Sequence, residues 1–157
     1  MSGHPRIVAY LQRAVNHEFS AAQQFTLQAV QAERLGLGPF ADELHAAALD
    51  ELRHAKAFCR RLYELGAGSP SVQAVARPVG RTLVELLRFG LATESDAMRL
   101  YSEALRFCER MADAGNATLF ARIHGDEVQH YEELERRLRE HGAEMKNIGL
   151  EPLPPAC

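Results

Sequence analysis

Residues 49–54 read Leu49-Asp50-Glu51-Leu52-Arg53-His54, and residues 125–130 read Gly125-Asp126-Glu127-Val128-Gln129-His130. Each stretch carries Asp-Glu-x-x-His inside a run of good helix formers whose apolar residues recur near every 3.6 positions. A Glu and a His three residues apart on a helix stand about 60° from each other, so both aim at one centre. The face they share is the apolar one. Ala48, Ala55, Phe58 and Leu62 flank the first pair, and Phe120, Ile123, Leu134 and Leu138 flank the second. Metal-ligating groups set into two apolar stripes predict a helical bundle built around a polar centre.

Two more carboxylates interrupt apolar stripes: Glu18, between Val15 and Ala22, and Glu94, between Gly90 and Ala97. Four buried carboxylates without compensation would unfold a domain. Each unpaired buried ion costs several kcal/mol, against a total stability of about 5–15 kcal/mol. Two divalent cations neutralise the four negative charges, and the two imidazoles ligate as neutral donors. The positions also repeat. Glu18 and Glu94, Glu51 and Glu127, His54 and His130, Phe25 and Tyr101, and Asp50 and Asp126 are each separated by 76 residues. The chain therefore reads as two helical hairpins related by a pseudo-twofold. Each metal position has one His, Glu51 and Glu127 bridge, and Glu18 and Glu94 are terminal. The oxygen-rich, thiol-free donor set suits iron, with manganese as the other redox-active choice and zinc as a competitor in purified protein. Asp50 and Asp126 are expected to fix the ligand imidazoles across the bundle, a contact that metal-bound histidine usually requires.

Working outward, four helices are predicted at about residues 5–35, 39–65, 81–112 and 117–141. Pro5 suits a first-turn position, and Gly36, Gly66 and Gly115 mark stops. Short turns join helices one to two and three to four. A connection of about 14 residues, 67–80, joins the hairpins, longer than neighbouring antiparallel helices need. This is an all-α four-helix bundle with one long crossover. Residues 142–157 carry three prolines and are expected to form a non-helical tail, leaving one domain over residues 1–157. His17 points away from Glu18 and is expected at a surface or interface.

The chain has 157 residues with 46% hydrophobic and 25% charged, the balance of a soluble globular domain. A net charge of −3 offers no basic patch for nucleic acid. The sequence holds neither an apolar run long enough for a membrane span nor a signal-peptide pattern. Cys59, Cys108 and Cys157 make an odd set at unrelated spacings, which fits a reducing cytoplasm rather than a disulfide framework.

Over residues 5–142 the sequence resembles the bacterioferritins, members of the ferritin-like di-iron carboxylate family. The matching pieces are AVNHEFSAAQQF around Glu18, LDELRH around Glu51 and His54, LATESDA around Glu94, and GDEVQH around Glu127 and His130. The resemblance implies a ferritin-like fold and two iron ions per subunit held by those six residues. It also implies ferroxidase activity, with Fe(II) oxidised by oxygen or peroxide for iron storage and detoxification. It implies a homo-oligomer, at least a twofold dimer and at most a ferritin cage. Three departures stand out. Leu52 occupies the place of the family's haem-ligating methionine, so haem is not expected. Phe25 replaces a tyrosine near the metals. The proline-broken tail is not expected to form the short fifth helix of family cages. Two other readings stay open: a non-storage di-iron oxidase or peroxidase of rubrerythrin type, and a haem-free partner subunit of a mixed ferritin.

Overall fold

The computed structural model describes residues 3–147. Regular structure among them is helical throughout: α1 Pro5–Arg34, α2 Gly38–Glu64, α3 Leu83–Arg110 and α4 Ala114–Asn147. α1 packs along α2, α3 along α4, and α1 also faces α3. No described helix is long and apolar enough to cross a membrane.

Helix ends follow local chemistry. Thr82 caps α3 by accepting from Glu85 N at 3.2 Å, while the Glu85 carboxylate accepts from Arg81 N at 2.7 Å. This Thr-x-x-Glu signal places the start at Leu83, two residues later than apolar periodicity alone suggests. Asp113 caps α4 through Asn116 N at 3.0 Å, so that helix begins before residue 117. Its other end corrects the expected stop near His141, because α4 continues to Asn147. A helix-interior glycine such as Gly142 costs only about 1 kcal/mol relative to alanine. Ala143, Glu144, Met145 and Lys146 are strong helix formers, and no proline intervenes before Pro152. The expected proline-rich tail beyond residue 147 lies outside the described residues.

The long connection is a strap. Gln12, Asn16, Ser20, Gln24 and Gln28 stand four residues apart on α1, one polar stripe along its length. Gln12 Nε2 donates to Ser71 O at 2.9 Å, and Gln73 N donates to Asn16 Oδ1 at 3.0 Å. Val75 N donates to Ser20 Oγ at 2.8 Å, and Gln24 Nε2 donates to Pro78 O at 3.0 Å. Gln28 Nε2 reaches Val79 O at 2.8 Å and Leu86 O at 3.1 Å. The match is metric. From Gln12 to Gln28 the helix rises about 24 Å, and extended chain from Ser71 to Val79 covers about 25 Å. Backbone polar groups that would otherwise lie unpaired against the bundle are thereby satisfied.

The core has two apolar clusters. One centres on Leu11, Val15, Phe58, Tyr101 and Phe120. The other centres on Phe25, Phe40, Leu44, Leu86 and Leu87. The polar residues of the candidate centre lie between them in sequence on every helix.

The pseudo-twofold reaches the turns. At the end of α1, Gly36 has φ 74°, with Leu37 N donating to Ala32 O at 2.9 Å. At the equivalent place after α3 the chain has Ala112 at φ 54°, with Asp113 N donating to Cys108 O at 2.9 Å. A side chain in this left-handed region costs about 1–2 kcal/mol, partly offset by the backbone entropy glycine loses on folding. Ala112→Gly is therefore expected to stabilise the protein by up to about 1 kcal/mol, read as a raised denaturant midpoint at unchanged m value.

Candidate metal centre

All six predicted residues meet at one place. Glu18 comes from α1, Glu51 and His54 from α2, Glu94 from α3, and Glu127 and His130 from α4. The four carboxylates are at most 1% exposed. His54 Nδ1 lies 2.9 Å from Glu127 Oε1, 3.4 Å from Glu51 Oε2 and 3.9 Å from Glu18 Oε2. His130 Nδ1 lies 3.4 Å from Glu127 Oε2, 3.5 Å from Glu51 Oε1 and 3.8 Å from Glu94 Oε1. Two groups result, Glu18–Glu51–His54–Glu127 and Glu51–Glu94–Glu127–His130, each with its ligand atoms within 4.8 Å of one another. Glu51 and Glu127 belong to both.

The outer nitrogens of the two rings are held crosswise. His54 Nε2 is 3.2 Å from Asp126 Oδ2, and His130 Nε2 is 3.6 Å from Asp50 Oδ2. Each aspartate thus reaches the imidazole of the other hairpin, as the shared offset of Asp50 and Asp126 predicts. Tyr101 Oη donates to Glu18 Oε1.

Among the described residues, seven of the eight buried side-chain polar atoms without a well-formed hydrogen bond belong to these six residues. They are Glu18 Oε2, Glu51 Oε1, His54 Nδ1, Glu94 Oε1, both Glu127 oxygens and His130 Nδ1. One such atom costs about 1–3 kcal/mol, more when charged. Seven converging on one point make this a candidate cation site, whose hard oxygen and imidazole donors fit two divalent metals.

Proton binding balances the charge when metal is removed. Burial raises the Glu18 carboxyl well above its ordinary value, and the Glu51 charge adds to the effect. Glu94 rises for the same two reasons. Burial disfavours the charged forms of Glu51 and Glu127 too, but the neighbouring His130 and His54 outweigh it and hold both below the ordinary value. For His54 and His130, burial works against the charged form. The Glu127 and Glu51 carboxylates overcome it and raise each imidazole to about 10.

Two residues sit differently from, or beyond, the expectations drawn from sequence. His17, expected at a surface or interface, is half-buried: its ring meets Tyr101 edge-on at 6.3 Å, and Arg77 Nη2 lies 3.2 Å from Nδ1. Burial and the Arg77 charge lower its pKa. Arg77 also donates to Thr93 Oγ1 and Asp96 Oδ2, each at 3.2 Å. Arg77 belongs to the strap, and helical periodicity says nothing about where a connecting segment lies.

Fold and donor set together define a four-helix carboxylate–histidine protein with a paired candidate metal site. The ferritin-like domain model matches residues 8–141. The chain is 30% identical to the bacterioferritin of Mycolicibacterium paratuberculosis over all of its own length and 96% of that protein. It is also 30% identical to that of Desulfovibrio desulfuricans over 92% of this chain and 78% of the other. Among solved structures, Rhodobacter capsulatus bacterioferritin, described with a metal-free dinuclear site and a haem iron, superposes with a TM-score of 0.85. That match has 26% identity and covers 99% of this chain and all of the other. Mycobacterium tuberculosis bacterioferritin BfrA superposes with a TM-score of 0.86 at 28% identity, covering 95% and 91%. The chain belongs to the ferritin-like family, as a bacterioferritin-like member.

The histidine shifts set a pH dependence. A group whose folded pKa lies above its unfolded value stabilises fully below the unfolded value and loses that contribution as pH rises through the folded one. For His54 and His130 the window runs from 6.5 to about 10. Glu18 and Glu94 act in the same direction from 4.5 upward. The metal-free protein is expected to melt at progressively lower temperature across the histidine window. Metal binding at pH 7 should release at least one proton from each imidazole. Calorimetry in buffers of different ionisation enthalpy and melting curves in chelator check both, and a melting temperature that climbs through the window would contradict the assignment.

Proposed function

We propose that this protein is a bacterioferritin-like ferroxidase that takes two Fe(II) ions per subunit as substrate for iron storage and detoxification. The observation that carries the reading is the convergence of seven unpartnered donor atoms from six residues on one buried point. Glu51 and Glu127, common to both ligand groups, bridge the ions; Glu18 and Glu94 are terminal, and His54 and His130 each hold one. Iron supplies the redox chemistry: each Fe(II) gives up one electron. Dioxygen accepts the two electrons with two protons to give hydrogen peroxide, or peroxide accepts them with two protons to give two waters.

The chain's own part is positional and electrostatic. The crossed Asp126 and Asp50 carboxylates orient the rings so that Nδ1 faces the ions. Tyr101 holds Glu18 in place. Four anionic carboxylates favour the higher charge of the Fe(III) product.

Haem does not fit this chain through the family position. Leu52 has no lone pair to offer iron, and its side chain stands 43% exposed on α2. Leu27, Val30 and Leu49 are likewise exposed apolar residues on α1 and α2. They supply an apolar surface for a twofold dimer through the long helices, the minimum assembly proposed here. Cys59 and Cys108 are unpaired, in keeping with a cytoplasmic location.

Two tests follow. Glu94→Ala removes a terminal ligand and its charge. It is expected to slow the initial rate of oxygen-dependent ferrous oxidation, followed by ultraviolet absorbance, by roughly 10–100-fold or more. Unchanged initial rates would rule the site out. The protein purified from its source is expected to show no Soret band, and one haem per subunit pair with thioether-type ligation would show that another methionine serves.

A further inference from the structure

The 76-residue offset holds for every metal-facing side chain, while the apolar residues walling the centre differ in size in one consistent sense. Beside Glu18 and His54 the wall of the centre is made by Phe58, Tyr101, Phe120 and Ile123, all fully buried. Phe58 and Phe120 pack against Tyr101 as tilted ring pairs with centroids 5.3 and 6.0 Å away. The same offset maps these four onto Leu134, Phe25, Leu44 and Ala47 beside Glu94 and His130. Each of the four is smaller than its counterpart. The difference is a cavity of about 40 Å³ lined by these four side chains, with Glu94 and His130 also in its wall.

The cavity has a size and a polarity. Its volume exceeds the ~10–15 Å³ that one water-sized probe needs, and is far below that of a drug-sized site. Phe25, Leu44, Ala47 and Leu134 give its inner part a hydrocarbon and aromatic lining beside Glu94 and His130, the kind of surface on which a small apolar gas is held. Phe25 contributes here because it lacks the hydroxyl of Tyr101. A tyrosine at this place would bring a polar group towards Glu94, as Tyr101 does to Glu18. Towards the surface the lining includes Glu43 and Arg137, an ion pair, with the Arg137 guanidinium 4.8 Å from the Phe40 ring centre. Phe40 is the one apolar lining residue whose counterpart, Asn116, is not bulkier. It is buried, with the Arg137 guanidinium over its ring.

We propose that this cavity is a binding pocket for dioxygen, so that the oxidant meets the metal pair from the Phe25 side, where the equivalent space beside Glu18 is filled by Phe58, Tyr101, Phe120 and Ile123. The proposal rests on the ferroxidase reading for the identity of the gas. The pocket itself rests on the packing difference between the two hairpins.

Xenon alone is the probe for the pocket, in crystals of the full chain under pressure or by xenon NMR in solution. One xenon atom per subunit is expected between Phe25, Leu44 and Leu134. Leu134→Phe restores the bulk that Phe58 provides on the other side, and is expected to abolish xenon binding. In this variant the oxygen concentration giving half-maximal ferrous oxidation should rise several-fold. Metal stoichiometry and the rate at saturating oxygen should stay as in the unaltered protein. Leu44→Phe, the counterpart of Phe120, is the second variant should the first fail to fold. Absence of xenon from the unaltered protein overturns the pocket, and an unchanged oxygen dependence in a cavity-filled variant overturns its role. Xenon bound in a protein that oxidises no iron would overturn the oxidant assignment through the ferroxidase reading, leaving the cavity in place.

Discussion

Four carboxylates converging in an apolar interior are the constraint on which everything else in this structure turns. Left ionised and unpartnered they would exceed the stability of a domain this size. Two divalent cations would cancel them, and without metal protons do, through two imidazoliums and the raised carboxyls of Glu18 and Glu94. Exchange of metal for protons at this centre would change its net charge little, so that one fold can serve both states.

Positioning follows from that demand. Each helix contributes through its middle, where the backbone is fully hydrogen-bonded and rotamers are held by packing on both sides. The Phe58–Tyr101–Phe120 cluster and the Phe25–Leu44–Leu87 cluster act as the two halves of this support. The strap along α1 closes the side that a simple up-down bundle would leave to a loop, and it carries Arg77 to His17, next to the tyrosine that holds Glu18. Near-symmetry of ligands is combined with asymmetry of packing. The six donors obey the pseudo-twofold, while the wall residues behind them do not.

Much of the site was legible before any coordinates. Asp-Glu-x-x-His twice, each 33 residues after a carboxylate in an apolar stripe, leaves few arrangements that do not bury unpaired charge. The crossed contacts of Asp50 and Asp126 were readable from the same offset. Less was legible where structure depends on segments meeting rather than on one helix. The polar ladder from Gln12 to Gln28 looks like a solvated face until residues 71–79 lie on it. His17 looks peripheral until Arg77 reaches it. The end of α4 was misjudged because Gly142 suggests a stop, whereas the propensity of the four residues after it carries the helix to Asn147.

The sequence by itself determined the helix count, the pairing of hairpins by a long crossover, the six converging residues and their charge balance. These follow from periodicity and from the cost of burying charge, both properties of composition and spacing. Tertiary structure alone decided that the connection runs as a strap along α1 and that Tyr101 Oη meets Glu18. It alone decided that replacing Phe58, Tyr101, Phe120 and Ile123 by Leu134, Phe25, Leu44 and Ala47 opens a space instead of being absorbed. Whether helices move together to fill a smaller side chain depends on everything else they touch. Here both hairpins are held at a fixed separation by the centre they share.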